Sequence, residues 1–482
     1  MPAGGGIIQL AAKGRQNEHL NAKPEFTLFK TSHNRYTNFA EDVEFNDFNG
    51  MVTFGGQKVS STISRYGDLI TDLMLWVQLP PLVAPTGITD ASGSPVDPTL
   101  TAAYWVNAIG YALIEEVSIE IGSQDVDTLY QDWLFVWEEL TQRPGARIRE
   151  QIGRFDWNSD VETDMIAYSS KARTLWIQLP FWFNKYFLEK GLSVPLISLT
   201  FHEVKVKVTF ANIADITCVV YKDVNSPLRD LKWWLVENST KSTPINGATN
   251  QPLQNSDLTA KLLVTYVYLD NNERNAFAEA DHEYVITTTQ RQIQSITTQG
   301  ATQDSIKLYF NHPSNLILWI VRPISWNTSA GRRRYSVGYK DRFDWSSKTA
   351  DATGTLLYGD VTDPITNATL RLNSHERWPE NMDSTYFRVV QPQLKFENIP
   401  AAYVYVYVFA ISGGTWNPTS TLNFSRIEHV QLDVKYVTSA IAANQIQQSD
   451  ILLFVENYNL LVVKDGMGGI RYSNISEEFD FE

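Results

Sequence analysis

Thr62-Ile-Ser-Arg-Tyr-Gly-Asp-Leu-Ile-Thr-Asp-Leu73 sets the pattern that runs through the whole chain. Apolar residues alternate with polar ones, and Gly67-Asp68 interrupts them, as in β-strands separated by tight turns. Upstream lie Gly4-Gly-Gly-Ile-Ile-Gln-Leu10, the segment Phe26-Thr-Leu-Phe-Lys30 and Arg35-Tyr-Thr-Asn-Phe-Ala40, with a further turn signal at Gly55-Gly56. No catalytic reading suits these residues. Phe26 and Phe29 are instead candidates for assembly contacts.

The β pattern persists beyond this stretch. Lys205-Val-Lys-Val-Thr-Phe210 alternates cleanly and reads as a half-buried strand. Tyr403-Val-Tyr-Val-Tyr-Val-Phe409 and Leu316-Ile-Leu-Trp-Ile-Val321 have no polar face, so both are expected to be buried on two sides. Two stretches depart from this. Thr128 to Leu140 places Leu129, Trp133, Val136, Trp137 and Leu140 at helical spacing, which predicts an amphipathic helix with Trp133 and Trp137 on its packing face. Asn271 to Ala280 predicts a short helix with Asp270 at its N-cap. Pro80 to Pro98 is a long irregular loop. Val236 to Asp257 is rich in Asn, Ser, Thr, Gln and Pro and marks the best domain boundary. The expected division is an arm over 1–25, a first sandwich over 26–235, a linker over 236–258 and a second sandwich over 259–482. Two successive blocks of short strands imply two β-sandwiches in tandem, and pattern alone leaves jelly-roll and immunoglobulin-like sandwiches both open.

Composition narrows the function. The chain has 482 residues, 43% of them hydrophobic, which suits about two to four packed domains. Aromatic residues make up 12%, including 14 Trp, a payload suited to sandwich cores and broad interfaces. The formal charge of −14 argues against a basic nucleic-acid groove. A single cysteine, Cys218, excludes an intrachain disulfide and reads as a small apolar strand residue made in a reducing compartment. Met1-Pro-Ala-Gly-Gly-Gly lacks the basic-then-apolar order of a signal peptide, and no apolar run reaches the roughly 18 residues of a membrane span. A soluble, cytoplasmically made chain is expected.

A series of landmarks then follows in order. The first half carries Ile119-Glu-Ile-Gly-Ser-Gln124, Leu179-Pro-Phe-Trp-Phe183 and Val194-Pro-Leu-Ile-Ser-Leu-Thr-Phe-His-Glu-Val204. The second carries Leu262-Leu-Val-Thr-Tyr-Val-Tyr-Leu-Asp270, Glu273-Arg274, His282-Glu-Tyr284, Asn311-His-Pro313, Asn423-Phe-Ser-Arg-Ile427, Asn457-Tyr-Asn459 and Gly466-Met-Gly-Gly469. Together with the opening eighty residues, they resemble the major capsid proteins of the nucleocytoplasmic large double-stranded DNA viruses, over nearly the whole chain. The resemblance implies an all-β fold of two tandem eight-stranded jelly rolls with a few short helices in the connecting loops. It implies a homotrimeric, pseudo-hexagonal capsomer, a trimer–trimer lattice and an icosahedral virion assembled in the host cytoplasm. Minor capsid (cement) and penton proteins are the implied partners, with the internal membrane reached through the N-terminal arm and no direct nucleic acid. The loops Pro80 to Pro98 and Ile324 to Thr366 are expected at the outer end. Asn417-Pro-Thr-Ser-Thr421 departs from the family, which tends to carry a Gly in that turn.

Residues that could carry other chemistry were weighed beside this. His202, His282 and His375 each precede a glutamate, but none has the second histidine three residues later that a zinc-protease helix needs, so they read as structural hydrogen-bonding groups. Glu115-Glu116, Glu138-Glu139 and Glu477-Glu478 are adjacent in sequence, whereas glycoside hydrolysis needs carboxyls about 5 to 9 Å apart across a cleft. Glu138 and Glu139 are expected on the solvated side of the Trp133 helix. Trp326, Trp345 and Trp416 are candidates for stacking on sugar rings, which keeps a carbohydrate-active double β-sandwich as the alternative function. Arg332-Arg-Arg334 reads as a solvated basic loop. Asn238, Asn327, Asn367, Asn423 and Asn474 stand in glycosylation sequons, with Asn423 read as structural. No catalytic residue, metal site or cofactor is expected.

Overall fold

Each half of the chain uses the same strand order. The structure, a computed structural model, describes residues 5–12, 35–89, 93–141, 148–155, 161–186, 190–222, 234–236, 241–296, 302–323, 342–343, 345, 347–350, 356–379, 382–437 and 449–472. Residues 1–39 form one unit, in which Gly5–Ala11 is helical with Ile7, Ile8 and Leu10 exposed. The sequence pattern gives no strand there, and the chain forms this short helix instead. Phe26 and Phe29 lie outside the described residues. Residues 40–482 form the second unit.

Eight strands of the first half are β1 (Phe39–Asn46), β2 (Lys58–Thr62), β3 (Leu69–Leu79), β4 (Ile114–Ile121), β5 (Gln124–Tyr130), β6 (Arg173–Gln178), β7 (Val204–Phe210) and β8 (Thr259–Leu269). They pair as β1-β8-β3-β6 and β2-β7-β4-β5. The second half supplies β9 (His282–Ser295), β10 (Gln303–Lys307), β11 (Pro313–Pro323), β12 (Ile365–Leu372), β13 (His375–Glu376), β14 (Tyr405–Val408), β15 (Val430–Tyr436) and β16 (Ser449–Lys464). Their order is β9-β16-β11-β14 and β10-β15-β12-β13, the first pattern shifted by eight. The pairing of each first strand with its last, and of each second with its seventh, is the winding of a jelly roll. The fold is all-β, two jelly rolls in tandem.

Side-chain alternation explains why these segments form strands. In β3, Leu73, Leu75, Val77 and Leu79 point into the sandwich, while Asp72, Met74, Trp76 and Gln78 alternate outward. Val204–Phe210 buries Val204, Val206 and Val208 in the same way. The strands without a polar face are covered on both sides. Leu316, Leu318 and Ile320 of β11 join the core of the first half, and Ile317, Trp319 and Val321 fill that of the second. Residues Tyr405–Val408 behave likewise over a shorter span than the apolar run suggests.

Several boundaries differ from the sequence reading. Thr128–Tyr130 stay in β5, held by the register Ser118↔Thr128 and Val117↔Leu129, so the helix runs Gln131–Thr141. Asn271–Glu279 is helical with Asp270 at its N-cap, but the Asp270 side chain makes no capping bond. Within the expected 236–258 linker, Leu253 and Leu258 enter the first core and Ile245–Asn246 pairs with Leu82–Val83. Strand β8, which that boundary assigns to the second half, pairs with β3 from Thr259↔Gln78 to Val267↔Leu69. The chain therefore changes sandwiches after Leu269. Polar composition marked a packed crossing over the first sandwich rather than a free connection.

The β4–β5 hairpin turns on Gly122-Ser123, both at positive φ (57° and 70°). The ring of His202 occupies the space a Cβ on Gly122 would need, and His202 Nδ1 lies 2.9 Å from the Gly468 carbonyl oxygen. Gly122→Ala is expected to displace His202 and cost roughly 1–3 kcal/mol. Thermal unfolding of this variant beside Ser123→Ala checks it, with the larger drop expected for Gly122→Ala.

Candidate functional site

The residues with the most demanding environment lie where the two sandwiches meet. One face of β9-β16-β11-β14 lines the second core, and its other face packs on the first half through Leu452, Phe454, Leu316, Leu318 and Ile320. The Trp133 helix supplies the opposing surface. Trp133 and Trp137 stack with ring centroids 5.9 Å apart, and Trp133 lies 5.9 Å from Phe454. Both expected packing residues are thus buried at the seam.

A buried ion pair crosses it. Lys185 of the first half binds Glu456 of β16, their side chains 3% and 0% exposed. Lys185 Nζ sits 4.0 Å from the Trp137 ring centroid and 5.0 Å from that of Trp133, a cation–π contact in a dry setting. Glu456 also accepts hydrogen bonds from Tyr186 Oη (3.2 Å) and Asn315 Nδ2 (3.1 Å). Such satisfaction is what makes a buried carboxylate tolerable, since removing either ion would strand the other. Burial pushes the Tyr186 hydroxyl well above its ordinary range, helped by the Glu456 charge, so it remains a donor.

Other polar contacts reinforce the seam. Arg322 donates to Asp132 at 3.0 Å, and Thr289 N donates to Asp127 Oδ1 at 2.9 Å. Burial raises the Asp127 carboxyl to about 7 against the bonds from Thr289 and Thr128 and the nearby Lys185 charge. Ala401 N donates to Glu139 Oε2 at 2.7 Å, and Glu139 pairs with Arg154. This corrects the expectation that Glu138 and Glu139 face solvent. Glu139 is buried, and Glu138 accepts a hydrogen bond from Tyr111 Oη at 3.2 Å. Helical periodicity reports the apolar face that carries Trp133 and Trp137; Ala401 and Arg154, remote in sequence, then cover Glu139 as well.

The remaining candidates are placed elsewhere. Trp345 is buried beside Phe135 and Phe343, and Trp416 is half-buried with Nε1 donating to the Val285 carbonyl. Trp326 and Arg332–Arg334 lie outside the described residues, as do Asn238, Asn327 and Asn474. Asn367 donates to the Met382 carbonyl at 3.3 Å, and Asn423 accepts from Ser425 N at 3.1 Å. His282 Nε2 lies 2.8 Å from the Phe277 carbonyl, a structural contact of the kind expected. Cys218 is buried in a short strand, Thr217–Tyr221. Among the described residues no group of three His, Cys, Asp or Glu side chains could hold a metal, and no helix is long and apolar enough to cross a membrane. A pocket of about 540 Å³ is lined by Glu150, Asp164, Tyr168 and Arg173 among others, with the Arg173 guanidinium 4.2 Å from the Tyr168 ring centroid.

The sequence reading missed Lys185, Glu456, Asp127 and Arg322. The signal was present in part. Lys185 is a lone charge within Phe181-Trp-Phe-Asn-Lys-Tyr-Phe187, and Glu456 is a lone carboxylate within the apolar strand Ile451–Val463. Charges embedded in such runs are either paired or functional.

Comparison with known proteins agrees with this architecture. Residues 27–270 match the family described as "Major capsid protein N-terminus", and residues 273–469 match "Large eukaryotic DNA virus major capsid protein". The chain belongs to the major capsid proteins of large eukaryotic DNA viruses. The capsid protein of Pyramimonas orientalis virus is 30% identical, covering 98% of this chain and 100% of that one. That of Paramecium bursaria Chlorella virus 1 is also 30% identical, with the same coverage. The crystal structure of VP54 from the latter virus (PBCV-1), fitted into a reconstruction of the virophage Sputnik, matches with a TM-score of 0.68 at 27% identity, over 93% of this chain and 100% of VP54. The major capsid protein of Faustovirus has the same fold at 12% identity and a TM-score of 0.68, over 94% of each chain. The relatives are structural capsid proteins, and this chain's place is the virion capsid. The two family segments part at 270–273, where the chain leaves β8 for the second sandwich.

Two outcomes follow for the seam. Lys185→Met strands Glu456 and is expected to cost about 3–5 kcal/mol, with part recovered by adding Glu456→Gln; chemical denaturation measures both. The Asp127 carboxyl is raised in the folded chain from 3.8 to about 7. Its contribution to stability is therefore full below about pH 4 and is lost as pH rises through about 7. Asp127→Asn keeps an oxygen for the Thr289 and Thr128 amides. It is expected to flatten the stability profile across that window and raise stability at pH 8 by roughly 3–4 kcal/mol. Unchanged profiles would contradict it.

Proposed function

We propose that three copies of the chain associate into a pseudo-hexagonal capsomer, and that these capsomers tile an icosahedral shell. The observation that carries this is the exact repetition of strand order between the two halves. Two like sandwiches per chain make six like wedges in a trimer, and six wedges give a tile that packs a flat facet although its true symmetry is threefold. The chain acts by assembly, not by turnover. Contacts within such a trimer belong to the obligate class, above about 2,000 Å². Contacts between trimers can be weaker, because multivalency stabilises a shell whose individual contacts still dissociate and correct errors.

The first jelly roll runs from β1 to β8, the second from β9 to β16, and the Asn271–Glu279 helix joins them. The N-terminal arm reaches minor capsid (cement) proteins or an internal membrane; exposed Ile7, Ile8 and Leu10 on its helix support an apolar contact. Penton proteins close the vertices. The net charge of −14 favours neither direct nucleic-acid binding nor a basic groove, and assembly takes place in the host cytoplasm.

Light scattering of the purified chain, with negative-stain images, tests the reading. The expected result is a particle of three times 54.7 kDa with a hexagonal outline. A folded monomer that cleaves or binds glycans would replace this reading with the carbohydrate-active one. Deleting Met1 to Asn21 is expected to leave the trimer intact and impair shell growth in a reconstitution assay.

A further inference from the structure

The seam holds more than an ion pair. Lys185, Glu456 and Asn315 come from three separate segments, the loop after β6, strand β16 and strand β11. Glu456 joins the other two: its Oε1 binds Lys185 Nζ, and its Oε2 accepts from Asn315 Nδ2 at 3.1 Å. An amine and a carboxamide are thus held on the two oxygens of one carboxylate. All three groups are shut off from water, since Asn315, like the Lys185–Glu456 pair, is fully buried. The Trp137 and Trp133 rings wall the amine on its apolar side.

The backbone puts Asn315 there by a local irregularity. Strand β11 pairs with β16 as Ser314↔Asn457 and then as Leu316↔Glu456, so Asn315 is the extra residue of a bulge. Bulges re-aim a side chain out of the regular alternation. The Asn315 carbonyl accepts from Phe409 N at 2.8 Å, which holds the bulge in place. Among the described residues its side-chain Oδ1 has no hydrogen-bond partner, a costly arrangement for a buried amide. On the opposite side, Lys185 N donates to the Phe181 carbonyl at 2.9 Å, and Asn184 Nδ2 donates to the Leu73 carbonyl at 3.2 Å. Both reacting side chains therefore rise from fixed backbone.

We propose that Lys185 and Asn315 join in an isopeptide bond, with Glu456 as the proton carrier, so that the two jelly rolls of one chain are tied covalently. Glu456 takes a proton from the Lys185 ammonium. The freed Nζ lone pair attacks Asn315 Cγ, and negative charge builds on Oδ1. The Nζ–Cγ bond forms, the Cγ–Nδ2 bond breaks, and ammonia leaves. Of the three ammonium protons, one stays on the new amide nitrogen, one completes the ammonia and one rests on Glu456. No oxidant or reductant is required. Asn315 is the electrophile because its amide is neutral, whereas an ionised carboxylate resists attack. Two features favour the reaction: the nucleophile is desolvated and held beside its target, and both charges of the buried pair disappear in the product. Exclusion of water also protects the bond from hydrolysis.

Denaturing mass spectrometry of the full chain, freshly purified and after prolonged incubation in its folded form, tests the proposal without any variant. The expected mass is below that of the sequence by one ammonia, and a tryptic digest is expected to contain a branched peptide joining the Lys185 and Asn315 segments. Ammonia is also lost when an asparagine closes on a following glycine, as Asn49-Gly50 and Asn246-Gly247 could do. A loss that maps to a linear peptide at those positions overturns the proposal, as does a wild type that keeps its full mass throughout. Asn315→Ala is expected to retain the full mass and to yield no branched peptide. Glu456→Gln is expected to do the same although both reacting groups remain; a branched peptide formed to the wild-type extent in that variant overturns the role given to Glu456.

Discussion

The Lys185–Glu456 pair is the constraint around which the two sandwiches are arranged. An ammonium and a carboxylate with almost no access to water must meet each other in good geometry, because either alone would be stranded. Trp137 and Trp133 face the ammonium, while Tyr186 and Asn315 donate to the carboxylate. These requirements set the position of β16 against the 181–186 segment. Apolar packing between Phe454 and Trp133 supplies much of the burial, but it is non-directional. The ion pair, with Arg322–Asp132 beside it, makes one relative placement of the halves preferable to its neighbours.

That seam explains an unusual feature of the second half. In a sandwich exposed on its outside, strands alternate apolar and polar; in β11, β14 and β16 they do not. Leu318 faces the first half and Trp319 its own core, and the same division runs through Val406 and Tyr405. The shared buried face ties the two sandwiches of the chain to each other. The equivalent first-half strands keep polar residues such as Asp72 and Gln78 on their outer face, interrupted by the aromatic group around Trp76.

Much of this was legible in the residues. Alternation located β3 and β7, continuous apolar runs identified strands covered on both faces, and helical spacing singled out Trp133 and Trp137. Boundaries were less legible. Thr128–Tyr130 fit a helix by spacing but are held in β5 by pairing with β4, because cross-strand hydrogen bonds override a local periodicity. The polar stretch over 236–258 resembled a linker, yet Leu253 and Leu258 tie it to the first core. Glu139 looked like a solvated residue because sequence cannot show that a distant segment, around Ala401, will cover it.

Sequence by itself determined the β character, the two successive blocks and the apolar and aromatic groups available for burial, since strand period and turn chemistry are local properties. Family membership was legible for the same reason: the landmarks are runs of adjacent residues in a fixed order. Only the tertiary structure decided which sheet β8 joins, which face of each sheet is covered, and that Lys185 meets Glu456 across 271 positions of chain. Those outcomes depend on pairings between segments remote in sequence. Their energy comes from desolvation and geometry that exist only once both sandwiches have formed.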